Sequence, residues 1–297
     1  MTLPATTGMS LALPRARALT DALLAPSTGG PSAADIAALR GRVAGELAAL
    51  VEELPAGERL RLDAFRFDMA REHPERCAVA DGPFVASPLV CRRAIGLSAM
   101  ARCVRRWAPT PAVAVAEVLA AGVEDAADDA DQSSSRPPWW AGWFRGLPAG
   151  GRAMVEAEAV TWATQVWTAL EWDRFAPAPI VGGGDDWWDC PGTRALTLKG
   201  RADVKVRGDG PPVLLVVGSG LPTPDWRAAL GFPALVSALA RGETSTPGRV
   251  VGLWPASGQV RILPVDGAVL ADTAAAVVDA VATWVDARLE AHGTRVA

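Results

Sequence analysis

Apolar residues recur along this chain with two different periods, helical in the first half and mostly alternating or continuous in the second. After Ser32 the apolar positions Ile36, Leu39, Val43, Leu47, Leu50, Val51 and Leu54 fall at helical spacing. Ser32 and Asp35 supply a capping box at its start, and Pro55 and Gly57 end it. Ser87 followed by Pro88 opens a second helix, PLVCRRAIGLSAMARCVRRW, because proline at the first helical position gives up no hydrogen bond. Pro109 and Pro111 separate it from a helix over 112–127, and a further long helix runs from Arg152 to Trp172. Leu60 to Met69 fits alternation about as well as a short helix and receives no assignment.

The second half alternates strand and helix. From Ala195 to Arg207, Leu196, Leu198, Ala202, Val204 and Val206 take one face while Thr197, Lys199, Arg201, Asp203, Lys205 and Arg207 take the other. Residues 208–212 make a turn, and Val213 to Val217 is a continuous apolar run, as in a strand covered on both faces. A helix from Asp225 to Arg241, a strand from Arg249 to Trp254, a turn over 256–258, a strand from Gln259 to Val265 and a closing helix from Ala268 to Ala291 complete the chain. The expected fold is α/β (α+β), a mixed central β-sheet flanked by helices and preceded by a helical N-terminal region. Three parts are expected: a flexible leader over 1–31 rich in Thr, Pro, Ala and Gly, a helical region over 32–135, and an α/β domain over 136–297. The boundary falls in an acid run, Glu124, Asp125, Asp128, Asp129 and Asp131, followed by QSSSRPP. Without the glycine turn of an EF-hand, that run reads as a solvated linker and not as an ion site.

Composition narrows the functions. With 297 residues, 50% hydrophobic, the chain is large enough for a well-buried core. Its formal charge of -4 and pI near 5.4 give no chain-wide basic field for nucleic acid, so any such site is local. Cys77, Cys91, Cys103 and Cys190 include no C-x-x-C pair. An iron-sulfur cluster stays open, but buried free thiols are the favoured reading. No continuous apolar run of ~20 residues and no signal-peptide plan is evident, so the expected location is cytoplasmic, without a membrane partner.

Local features supply candidate binding residues. Arg92, Arg93, Arg102, Arg105 and Arg106 lie close together on one predicted helix. They read either as a polar face suited to the helix C-terminus or as a ridge contacting DNA phosphates. Trp162, Trp167 and Trp172 fall within a helical apolar pattern and are expected in the core. Trp187 and Trp188, in the loop GGGDDWWDCPG, are candidates to line a cleft. Glu158 shares a helical stripe with Val155 and Trp162, so it is expected to face inward, where it must be paired, neutral or metal-bound. Arg201 is one partner it could take.

A glutamate-bearing helix, then GRAD on a strand, then an apolar strand ending in a small-residue turn, then helix and strand: this succession resembles the PD-(D/E)XK nuclease superfamily. Within it, SPLVCRRAIG and the stretch DWRAALGFPALVSALARGETSTPGRVVGLWPASGQVRILPVDGAVL are similar to the RecB-type actinobacterial members. The resemblance covers roughly Phe84 to Leu289 and implies a restriction-endonuclease-like fold. In such nucleases two carboxylates hold Mg²⁺ and a lysine orients the attacking water. Carried over by position, the resemblance assigns the helix acid to Glu158, the first strand acid to Asp203, the second acid to Val216 and the lysine to Gly218. Valine and glycine offer no ligand atom and no base, so the motif is degenerate. Lys199 and Lys205 share the strand face of Asp203 and are the candidates for a displaced lysine, with Asp225 a candidate third acid.

Other chemistries have less to work with. His73 and His292 are the histidines of the whole sequence, and Gly218-Ser219-Gly220 lacks the remaining residues of a phosphate loop or dinucleotide fingerprint. The expected function is therefore a pseudo-nuclease: a catalytically degenerate PD-(D/E)XK nuclease-like protein that binds DNA or a protein partner, with no cofactor. The alternatives are a Mg²⁺-dependent DNA nuclease with a rearranged site, using Asp203 and Glu158 as metal ligands, and a structural subunit of a larger assembly.

Overall fold

The computed structural model describes residues 9–26, 30–77, 87–125, 138–182, 185–207, 210–218 and 221–296. Asp128, Asp129 and Asp131 of the acid run, residues 208–209 of the predicted turn and Ser219 and Gly220 lie outside them. In chain order the elements begin with α1 (Met9–Leu24), α2 (Ala33–Val51), β1 (Leu60–Asp63), α3 (Ala64–Glu72), α4 (Pro88–Val104) and α5 (Pro111–Asp125). There follow α6 (Ala141–Gly146), α7 (Ala149–Thr168), β2 (Ile180–Val181), β3 (Asp186–Asp189), β4 (Leu196–Gly200), β5 (Val204–Val206) and β6 (Val213–Val217). The chain closes with α8 (Trp226–Arg241), β7 (Arg249–Trp254), β8 (Gln259–Pro264) and α9 (Gly267–Val296). This is the mixed α/β class with helix-flanked mixed sheets that the patterning predicts.

The elements gather into two compact units that do not follow the expected boundary near residue 135: one holds 1–25 and 84–183, the other 26–83 and 184–297. Long-range pairing is the reason. β1 pairs in parallel with β4, Leu60 opposite Leu196, and α2 packs on α9, so a segment assigned by sequence to the helical region belongs with the sheets. The leader also differs from expectation, because α1 runs through it and buries Ala16, Leu19 and Leu23 at helical spacing.

In the first unit α4 packs on α5 and α7. Ser87 caps α4, its hydroxyl accepting from the Val90 N–H at 3.4 Å, and Pro88 takes the first helical position. α4 and α7 approach closely because Gly96 has no side chain: an added Cβ would lie within 3.0 Å of the Trp162 ring. At its end α4 closes as a Schellman motif, the Arg106 N–H bonding the Cys103 carbonyl and the Trp107 N–H the Arg102 carbonyl. Arg106 holds the left-handed position, at φ 58°.

In the second unit Ser32 and Asp35 form the expected capping box of α2, whose Ile36, Leu39, Val43, Leu47 and Val51 enter the core. The segment from Leu60 to Met69 divides into β1 and the start of α3. One sheet has the order β1-β4-β3, with β3 antiparallel to β4. In the other, β5 and β6 form an antiparallel hairpin, β6 and β7 run parallel across the α8 crossover, and β8 returns antiparallel to β7.

The alternating stretch from Ala195 to Arg207 is therefore two strands in two sheets, and not one strand. It turns between Gly200 and Val204, where a Cβ on Gly200 would meet Val236 at 2.8 Å and the Pro233 backbone at 3.3 Å. Across the bend the core-facing set changes parity: Leu196 and Leu198 join the core from β4, whereas on β5 Lys205 shares the face of the core residue Leu214 and Val204 and Val206 take the other.

By length and composition Gly267–Gly293 of α9 is sufficient to cross a bilayer, although it contains no continuous apolar run. Its Val277, Val281 and Trp284 are fully buried in the same core cluster as α8 and the core face of the sheets.

Candidate functional site

The site is built where β5, β6 and β7 lie side by side. Successive pairs Lys205 with Leu214, Leu214 with Val250, and Val216 with Gly252 put these residues on one sheet face, which Gly218 and Trp254 continue. Leu214, Val250 and Trp254 on this face pack with α8 and α9. Trp254, 7% exposed, reaches across two glycines: a Cβ on either Gly252 or Gly218 would fall within 3.0 Å of its indole. The ring thus occupies the space that a side chain at position 218 would need. Val216, the other degenerate position, is packed against the core.

Asp203 stands one residue ahead of β5 with its side chain sealed from solvent. Its Oδ2 accepts from the Val217 N–H at 2.7 Å, while its own N–H donates to the Leu215 carbonyl at 2.9 Å. Arg201 Nε lies 3.9 Å from Oδ1. The carboxylate therefore closes the hairpin by satisfying a backbone donor at the end of β6.

The displaced-lysine candidates do not gather around it. Lys199 lies on β4, in the other sheet, with its ammonium 2.7 Å from Asp185 and 4.7 Å from the Trp187 ring centre. Lys205 is 8% exposed, and burial lowers its ammonium pKa, opposed by the carboxylate of Asp186. Asp225 is paired with Arg71.

Glu158 belongs to the first unit, Asp203 to the second. The structure places Glu158 half-exposed on α7, not on the inward face that the stripe with Val155 and Trp162 suggested. Its Oε2 is 3.4 Å from Arg92 on α4, a partner different from the expected Arg201. Among the described residues, no group of three or more His, Cys, Asp or Glu side chains is placed to hold a metal ion.

The arginines of α4 and its C-terminus are largely committed. Arg92 pairs with Glu158, Arg102 with Glu117 at 3.1 Å and Arg106 with Asp173 at 2.9 Å. Arg105 lies over the Trp107 ring at 4.9 Å, and Arg93 is half-buried. These contacts are those of a helix tied to its neighbours.

The two candidate tryptophans part company. Trp188 is 2% exposed, on the core face of β3, which removes it from any cleft. Trp187, on the opposite face, is 46% exposed, with the Arg61 guanidinium 5.1 Å from its ring centre. Trp162 is core, as expected, and Trp172 stacks on Trp167. All four cysteines are free and buried, and burial raises their thiol pKa values, that of Cys91 to about 11.

Sequence reasoning missed Trp254, Asp186, Arg241 and Arg61. The first carried a faint signal: a tryptophan two residues after a glycine on one strand, beside a neighbouring strand that ends in glycine, gives a ring both glycines to lie on. No protein-family model and no curated protein matches this chain.

Proposed function

We propose that this chain is a catalytically degenerate nuclease-like protein of the PD-(D/E)XK plan, working by binding and not by cleaving DNA. The observation that carries this is Trp254 lying over Gly218. The position that the resemblance assigns to the water-activating lysine has no side chain, and an indole fills the space where one would emerge. The acid position two residues before it is a partly buried valine packed against the core, and Asp203 is engaged in a backbone hydrogen bond. An antiparallel hairpin, a helical crossover and a parallel strand agree with the fold that the resemblance implies. No metal cofactor forms part of this reading.

A protein partner suits the binding role better than DNA. Three of the five candidate arginines sit in ion pairs with neighbouring acids, which removes much of the positive field a phosphate backbone would meet. Four buried, free thiols suit a reducing cytoplasmic setting.

Purified protein incubated with linear and supercoiled DNA in Mg²⁺ and in Mn²⁺ tests the central claim. The expected result is no cleavage. Cleavage that disappears in Asp203→Ala establishes the rearranged nuclease instead.

A further inference from the structure

One carboxylate ties the last turns of α9 to the loop between α2 and β1. Glu58, two residues before β1, places its Oε2 3.1 Å from Arg288 Nη1 and its Oε1 3.3 Å from His292 Nε2. Arg288 and His292 stand four residues apart on α9, hence on one face of the helix. The second ring nitrogen of His292, Nδ1, lies 3.3 Å from the Arg288 carbonyl oxygen. Both imidazole nitrogens are thus set beside oxygens that can only accept. A neutral imidazole carries a single N–H, so either tautomer serves one oxygen and turns a lone pair towards the other. The imidazolium, with an N–H on each nitrogen, serves both. Among the described residues, Glu58 is the acid within ion-pair distance of the ring, and no charged group of α2, α3 or α8, the helices packed on α9, reaches it. Arg71 of α3 is paired with Asp225, and Arg241 of α8 with Asp186. Asp68 and Glu72 of α3 act on one another, and Glu75 and Arg76, in the single turn beside α9, lie within 4.0 Å of each other.

We infer that His292 is a proton-operated latch on the end of α9. Protonated, it joins Glu58 to the Arg288 carbonyl and holds the terminal turns docked; neutral, it leaves the Arg288 guanidinium alone to hold them. That guanidinium keeps its charge throughout the range in which a histidine titrates, so the pair with Glu58 is a fixed anchor and the turn beyond it is the part that responds. Leu289, packed against the core from this segment, is uncovered when the turn opens. The latch is closed at low pH and opens as pH rises through the histidine range. Its strength is that of a screened pair, because the His292 side chain is 43% exposed and that of Glu58 21%.

Hydrogen exchange of the full chain, read by mass spectrometry at pH 5.5 and pH 8 and expressed as protection relative to the free amide at each pH, tests this. Amides from Leu289 to Gly293 should be about 3–10-fold better protected at pH 5.5. His292→Gln, which keeps an N–H for Glu58 and cannot change its charge, should lose this difference. Asp68 titrates in the same range in both proteins, so the quantity read is the part of the pH effect that depends on His292. A protonated histidine near a helix C-terminus favours the helix without any partner, and Glu58→Gln separates that effect from the latch. The pH effect should fall to less than half in Glu58→Gln if the carboxylate is its cause. Equal protection of the wild type at both pH values, or a pH effect undiminished in either His292→Gln or Glu58→Gln, overturns the proposal.

Discussion

Gly218 and Trp254 fit together as backbone and ring: the indole lies so close to the glycine that a single added methyl group would fall within 3.0 Å of its Nε1. The neighbouring strand carries this contact in its register, since the Gly218 N–H donates to the Leu253 carbonyl at 2.8 Å. Gly218→Ala should therefore destabilise the fold by about 2–3 kcal/mol through overpacking. In a Trp254→Leu background, which itself loses packing, the same substitution should cost about 1–2 kcal/mol less. Urea unfolding of the four proteins of this cycle measures the coupling, and additivity would show that the ring does not hold position 218 closed.

Arg106 ends α4 in the left-handed region, at φ 58°, where residues with a Cβ are strained. Its ion pair with Asp173 is fully surface-exposed in character, with side chains 80% and 89% accessible, so its loss costs little. Arg106→Gly should accordingly raise stability by about 1 kcal/mol, glycine being the residue suited to this position of a Schellman motif. An unchanged or lowered denaturation midpoint would contradict this balance.

The two periods of the sequence made most of the elements legible. Ser32 with Asp35, and Ser87 with Pro88, mark helix starts because capping is a local hydrogen-bonding event written within four residues. The pairing of β1 with β4 is not local: nothing near Leu60 announces that its partner stands at Leu196, and with that pairing the domain boundary was lost. The break of the alternating stretch at Gly200 is hidden for another reason: Val204 and Val206 are buried as Leu196 and Leu198 are, so the apolar alternation runs on while the face it occupies changes. The degenerate positions Val216 and Gly218 were readable as residue types. What fills their place was not, because Trp254 arrives from the far side of a helical crossover.

Asp68 on α3 carries a carboxyl whose pKa is raised to about 6, first by burial and then by Glu72, against the opposing charge of Arg71. The folded state thus binds this proton more tightly than the unfolded state, whose ordinary value is 3.8. Above pH 6 the ionised carboxylate penalises the fold in full, and the penalty is relieved as pH falls from about 6 to about 4. Asp68→Asn should stabilise the protein at pH 7.5 by on the order of 2 kcal/mol, discounted for the partial exposure of the site, and by close to nothing at pH 4. Urea midpoints of both proteins across this range test it; a difference that does not change with pH would exclude ionisation as the cause.

The thiols offer a measure of native packing. Each of the four is buried, and burial keeps each in the neutral form that does not react with disulfide reagents. With a pKa of about 11, Cys91 is roughly one-thousandth thiolate at pH 8. An aromatic disulfide reagent at pH 8 should label none of them on the timescale on which it labels all four in denaturant. Fast labelling of one thiol in the native protein would place that cysteine at a surface or at a readily opened element.

DNA binding through the arginines of α4 makes the sharpest contrast with the partner reading. If Arg92, Arg102 and Arg106 serve Glu158, Glu117 and Asp173, their joint replacement by alanine should leave duplex-DNA affinity and its dependence on salt unchanged. It should also cost a modest amount of stability, since pairs of this exposure contribute only a few tenths of a kcal/mol to about 1 kcal/mol each. A phosphate-contacting ridge predicts the opposite on the first count: the slope of log affinity against log salt would fall by roughly one for each contact removed. Titrating wild type and triple variant at several salt concentrations separates structural pairing from phosphate contact, because only phosphate contact releases counterions from the duplex.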